Sequence, residues 1–91
     1  MASAEIYTRQ FCSYCQFARE LLLRKGVDFR EIDVTGNAAA RRQMAERAGG
    51  RTTFPQIFIG STHVGGCDEL YALEETGRLD PLLGREEGQP A

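Results

Sequence analysis

At residue 12 the spacing of apolar residues changes from that of a strand to that of a helix, and the pair Cys12-Ser13-Tyr14-Cys15 sits on the change. Ile6 and Tyr7, behind polar Ser3 and Glu5, read as a short strand, and Thr8-Arg9-Gln10-Phe11 as the loop leaving it. Over residues 13–25, Phe17, Ala18, Leu21 and Leu22 recur at three- and four-residue spacing. That pattern predicts a helix with one buried face, stopped at Gly26. Residues 27–34 hold Val27, Phe29, Ile32 and Val34, a second strand parallel to the first. Two parallel strands joined by a crossover helix restrict the chain to an α/β sheet with a right-handed connection.

The remaining signals complete that sheet. Asn37 caps a second helix that runs to Ala48 with Met44 and Ala48 inward, and Gly49-Gly50 ends it. Gln56-Ile57-Phe58-Ile59 and Thr62-His63-Val64 flank Gly60-Ser61, a two-residue hairpin. A third helix starts near Cys67, with Leu70 and Leu73 on one face and Gly77 as its stop; Asp80-Pro81-Leu82-Leu83 makes a last short turn. The order β-α-β-α-β-β-α is that of the thioredoxin fold, an α/β fold with a four-stranded mixed sheet and three main helices. Residues 1–84 are expected to form this one domain and residues 85–91 a flexible tail.

Composition narrows the function. Both signs of charge are interspersed and net charge is −2, which gives no reason to expect nucleic acid or a membrane as partner. No apolar run approaches a membrane span, and no basic segment followed by an apolar stretch opens the chain, so a cytoplasmic protein is expected. Three cysteines are too few, and odd in number, for a secreted disulfide framework. In a reducing compartment a C-x-x-C pair is redox-active or metal-binding.

Cys12 is placed to be a nucleophile. Just ahead of the first helical turn, the free N–H groups of Tyr14 and Cys15 can face its sulfur, and Arg9 adds positive charge. Such surroundings bring a thiol pKa into the range of roughly 3.5–7.5. Cys15, one turn on and less exposed, is the resolving partner. Thr53-Phe54-Pro55 precedes the hairpin. If the Pro55 bond is cis, the Phe54 backbone faces the dithiol and can pair with an extended thiol substrate; taken alone, the proline also suits an ordinary turn. Gly65-Gly66-Cys67-Asp68 permits close approach of a ligand backbone. Its helix N-terminus suits a carboxylate and Asp68 an ammonium, so the segment fits a zwitterionic α-amino acid end. Arg9 and Arg51 are candidates for the other, anionic end. Cys67 reads as a small half-buried residue rather than a third catalyst, and His63 as a solvent-facing strand residue. Cys12, Cys15, His63 and Cys67 also have the number, though not the setting, of a zinc site.

These segments together resemble the glutaredoxin family: E-I-Y-T-R at Glu5 to Arg9, C-S-Y-C at Cys12 to Cys15, R-T-T-F-P-Q-I-F-I at Arg51 to Ile59, and G-G-C-D at Gly65 to Asp68. Serine stands at position 13 where proline is commoner, and Phe54 where valine is. The resemblance implies a glutathione-dependent thiol–disulfide oxidoreductase with glutathione as co-substrate. Its expected site residues are Arg9, Tyr14, Arg51, Thr53, Phe54, Pro55, Gly66, Cys67 and Asp68, serving catalytic Cys12 and Cys15. Its partners are glutathionylated or disulfide-containing proteins, met by a monomer. It also implies an alternative in which Cys12 from two chains and two glutathione thiolates hold a [2Fe–2S] cluster.

Overall fold

In a computed structural model describing residues 3–85, the chain forms β1 (Ala4–Thr8), α1 (Ser13–Arg24), β2 (Phe29–Asp33), α2 (Ala38–Arg47), β3 (Gln56–Ile59), β4 (Thr62–Gly65), α3 (Cys67–Glu75) and α4 (Leu79–Leu82). The strands lie in the order β2-β1-β3-β4. β1 runs parallel to β2 with Ala4 opposite Phe29, and β3 is antiparallel to both β1 and β4. This is the four-stranded mixed sheet of the thioredoxin fold.

Alternation along the two central strands builds a core on each face of the sheet. Ala4 and Ile6 of β1 and Ile57 and Ile59 of β3 point one way, onto Ala18, Leu21 and Leu22 of α1 and Leu70 of α3. Tyr7 and Phe58 point the other way, onto Met44 and Ala48 at α2. Each fully buried Leu or Ile contributes roughly 1.5–3 kcal/mol, so burial on the first face holds the dithiol helix to the sheet. Asn37 caps α2 as expected, its side chain accepting from the Ala40 N–H at 3.0 Å.

The structure corrects four details. Phe17 is half exposed, because the buried stripe of α1 is Cys15, Ala18, Leu21 and Leu22, and Phe17 stands about 100° round the helix from Ala18. β2 is an edge strand with only Phe29 and Ile32 half-buried; Val27 and Val34 are buried in the turns on either side of it. The last turn is a short helix, α4, that buries Leu79 and Leu83. Arg85, read as the start of the tail, donates to the carbonyls of Lys25 and Gly26 at 2.6 and 3.3 Å; the rest of that segment, 86–91, lies outside the described residues. Lys25 itself is buried. Burial disfavours its ammonium, but bonds to Glu74 (2.9 Å) and Asp80 (3.0 Å) outweigh that and raise its pKa. The end of α1 is thereby tied to α3 and α4.

Candidate functional site

Cys12 is the N-cap of α1, its backbone extended, and its sulfur accepts a hydrogen bond from the Cys15 N–H at 3.1 Å. A side-chain acceptor at this position satisfies one of the orphan donors of the first turn. In the reduced protein the same N–H and the helix dipole favour the thiolate. Cys15 is fully buried, and the two sulfurs are in disulfide contact with their Cα atoms 5.2 Å apart. Of the two backbone donors expected at Cys12, Cys15 thus makes the bond, and Tyr14 brings an exposed ring into the groove alongside.

That groove, about 200 Å³, runs from Tyr14 of α1 to the loop before β3 and the first turn of α3. It gathers Tyr14, Arg51, Thr53, Phe54, Pro55, Gly66, Cys67 and Asp68, which is every residue expected at the ligand site except Arg9. Elements from three places in the chain meet there, yet each is set by local chemistry. The Phe54–Pro55 peptide is cis, and both residues line the groove wall. Behind it, Gln56 is fully buried and spends its amide N–H groups on the Thr53 carbonyl (2.9 Å) and hydroxyl (3.0 Å). The Gln56 side-chain oxygen then meets His63 Nε2 at 2.7 Å, so that nitrogen carries the proton. His63 is therefore not the solvent-facing residue expected. It is half-buried and stacked on Phe58 with centroids 4.8 Å apart; burial, then Arg51 and Arg47, lower its pKa.

At the far end, Gly65 holds φ at +113°, and a Cβ there would lie 2.6 Å from Glu69 Oε1 and 3.0 Å from Arg51 Nη1. Glycine is required by both backbone and space. Glu69, which the sequence reading passed over, accepts from the Gly66 N–H at 2.6 Å and pairs with Arg51 at 3.4 Å. Its signal was present in Gly66-Cys67-Asp68-Glu69, the i to i+3 spacing of a capping box. The Gly66 N–H is thus already occupied, and the Cys67 and Asp68 N–H groups of the first turn are the ones left for a ligand carboxylate. Arg51 stands at this end rather than beside Arg9. Burial, with Asp68 and Glu69 adding to it, pushes the Cys67 thiol up, in keeping with an unreactive residue.

The Gly66 N–H first, then Arg51, hold the Glu69 carboxyl below its ordinary value of 4.5, against the opposing effect of burial. A carboxylate whose folded pKa is depressed contributes stability that is full above its unfolded pKa and is lost as pH falls through the folded one. We therefore expect Tm to drop as pH is lowered from about 4.5, and Glu69→Gln to flatten part of that drop in a thermal-melt series against pH. An unaltered slope would remove Glu69 from the account.

Arg9 and Phe11 lie toward the other side of Cys12. Arg9 stacks over the Phe54 ring at 5.6 Å, with Arg41 of α2 at 5.4 Å from the same ring. Arg41 had no sequence signal, since its neighbour Arg42 offers the same charge one position on. Phe11 is 97% exposed with φ +57°, a left-handed conformation costing a non-glycine residue roughly 1–2 kcal/mol. It lines a second groove of about 550 Å³, toward β2, with Arg9, Cys12, Gln16, Arg19 and Glu31. Cys12, Cys15, His63 and Cys67 do not converge as zinc would need: among the described residues no group of three or more His, Cys, Asp or Glu is placed to hold a metal ion. No described helix is long and apolar enough to cross a membrane.

The family model for glutaredoxins matches residues 4–64. The chain is 58% identical over 83 residues to glutaredoxin 3 of Escherichia coli K12, spanning 91% of this chain and 99% of that one. The solution structure of a glutaredoxin from Brucella melitensis superposes with a TM-score of 0.80 at 56% identity, over 94% of this chain and 95% of that one. A crystal structure of a buckwheat glutaredoxin–glutathione complex superposes with a TM-score of 0.80 at 25% identity, over 91% and 77% of the two chains.

Proposed function

The chain belongs to the glutaredoxin family of thiol–disulfide oxidoreductases, and from that premise we propose that it is a glutathione-dependent enzyme acting on glutathione mixed disulfides and protein disulfides. The observation that carries this is the single groove beside the Cys12–Cys15 pair that joins the cis Phe54–Pro55 backbone to the Gly66–Asp68 turn. The Phe54 main chain, at the groove wall, suits pairing with the main chain of the tripeptide's cysteine. Asp68 suits the γ-glutamyl ammonium, and the Cys67 and Asp68 N–H groups with Arg51 suit its carboxylate. Arg9 and Arg41, flanking Phe54, are placed for the glycine carboxylate. The buckwheat relative solved with glutathione supports the same ligand class here.

In this mechanism the Cys12 thiolate attacks the glutathione sulfur of a mixed disulfide and expels the substrate thiolate. A second glutathione thiolate attacks the Cys12–glutathione bond, regenerating Cys12 and releasing oxidised glutathione. With a protein disulfide, Cys12 joins the protein instead, and Cys15 attacks Cys12 to free it. Glutathione, at a potential the pool can sustain, is the reductant, which fits a monomer working in the cytoplasm. The contact of the Cys12 sulfur with that of Cys15 supplies this dithiol exchange with its resolving thiol; in the [2Fe–2S] alternative Cys12 would serve as an iron ligand.

The test is turnover of the mixed disulfide of glutathione and 2-mercaptoethanol, coupled to glutathione reductase. We expect steady oxidation of the reduced nicotinamide that saturates with glutathione. A colourless apo-protein without turnover, yet binding iron and sulfide with glutathione under anaerobic conditions, would move the assignment to the cluster alternative.

A further inference from the structure

A polypeptide joined to Cys12 extends further from the sulfur than glutathione does, and we propose that Phe11 and the groove beside it hold the segment flanking the reacting cysteine of a protein disulfide. This rests on the reading of Cys12 as the attacking sulfur. Cys12 follows the central strand β1 and lines the second groove, on the β2 side, whereas the first runs from Tyr14 of α1 to the loop before β3 and the start of α3. The first is the smaller and holds the residues suited to glutathione apart from Arg9, which lines the second. Phe11 lines only the second.

Phe11 is a strained residue whose ring gains no burial from the fold. Its backbone is left-handed, yet 97% of it is exposed, so no burial of its ring offsets the strain. The loop is held in this form independently: the Gln10 N–H donates to Thr35 Oγ1 at 2.8 Å, and the Thr35 N–H to Asp33 Oδ1 at 2.9 Å. What covers the ring must come from outside, and disulfide exchange brings a partner's sulfur to the adjacent residue. A glutathione seated in the first groove, its glycine carboxylate meeting Arg9 over the Phe54 ring, ends there and has no further residue to set on Phe11. A longer chain attached through its own cysteine continues past that groove, and the second groove offers it Phe11 for an apolar side chain. Its charged wall, where Arg19 pairs with Glu31 at 2.9 Å, offers polar groups to the main chain.

The chemistry balances within the proposed reaction. The Cys12 thiolate attacks one sulfur of the protein disulfide, forming a Cys12–protein bond and expelling the other sulfur as thiolate. The Cys15 thiolate attacks Cys12 and releases the second protein thiolate. The protein gains two electrons, and two glutathione thiolates then reduce Cys12–Cys15 and leave as oxidised glutathione.

The experiment compares wild type, Phe11→Ser and Phe11→Gly on three substrates: the glutathione–mercaptoethanol mixed disulfide, an octapeptide closed by a disulfide with Leu beside its first cysteine, and the same peptide with Ser there. We expect kcat/KM on the Leu peptide to fall about tenfold in both variants, and the Leu-to-Ser preference to collapse. The small substrate should change by less than about twofold. Phe11→Tyr should restore the preference. Phe11→Gly should also raise Tm by a few degrees through relief of the left-handed strain, which separates lost docking from lost folding. An equal fall on all three substrates, or a preserved Leu-to-Ser preference, would overturn the inference alone. A wild-type protein inactive on the small substrate would overturn the proposed function and this inference with it.

Discussion

Cys12→Ser is expected to bring turnover of every disulfide substrate down to the uncatalysed background, while Cys15→Ser keeps the glutathione mixed-disulfide reaction and loses protein-disulfide reduction. The asymmetry follows from where the two sulfurs sit. Cys12 is the half-buried N-cap of α1, with a backbone N–H on its sulfur, whereas Cys15 is sealed in the core face of the same helix. An outside disulfide reaches the first and not the second. A serine hydroxyl at position 12 can still cap the helix, so the fold is retained and the loss reads as chemistry rather than unfolding. With Cys15 removed, a second glutathione still attacks the Cys12–glutathione bond, but a Cys12–protein bond has lost its internal thiolate. The measurement is steady-state kinetics of both variants on the small mixed disulfide and on a disulfide peptide, with mass spectrometry for a trapped Cys12–peptide adduct in Cys15→Ser. Equal loss of both activities in Cys15→Ser would remove the resolving role from Cys15.

Gly65→Ala should be the most damaging single methyl in the ligand groove. The added carbon would meet Glu69 Oε1 at 2.6 Å and Glu69 Cγ at 3.1 Å, on a backbone at φ +113° that L-residues rarely adopt. Glu69 can swing aside, but only by giving up the Gly66 N–H and its pairing with Arg51. Strain and the lost cap together cost roughly 2–4 kcal/mol. For a domain of this size that is a fall in Tm of roughly 10–25 °C. Because Arg51 and the Gly66–Asp68 turn line the groove, KM for the glutathione substrate should rise well before kcat changes. Thermal melts and kinetics at a temperature where both proteins are folded check this. A variant that melts with wild type would mean that the turn relaxes in a way the close contacts deny.

The groove at Tyr14 was largely legible because each wall is announced locally. Pro55 after Phe54, two glycines at 65 and 66, and a cysteine pair at a strand–helix junction each constrain their own backbone. The core was legible wherever period decided it, as in Met44 and Ala48 at α2 or Leu21 and Leu22 of α1. Reading failed where phase rather than period mattered. Phe17 fits the helical spacing, yet the stripe is centred on Cys15, Ala18 and Leu22, and a shift of one residue turns a side chain by about 100°.

The polar contacts divide in the same way. Asn37 and Glu69 act three residues along the chain, where capping chemistry can be read directly. Lys25 with Glu74 and Asp80, Arg9 and Arg41 on Phe54, and the His63–Gln56–Thr53 chain join residues of different elements. A lysine or arginine leaves the same mark in a sequence whether water or a carboxylate meets it. The amino-acid sequence alone thus determined the element order, the two-sided sheet and the cysteine at the helix N-terminus, because backbone propensity and hydrophobic period act between near neighbours. Tertiary structure alone decided that Arg51 faces Glu69, that Arg9 stacks on Phe54, and that Phe11 stands uncovered beside the nucleophile, because these depend on which side chains distant segments present to one another once packed.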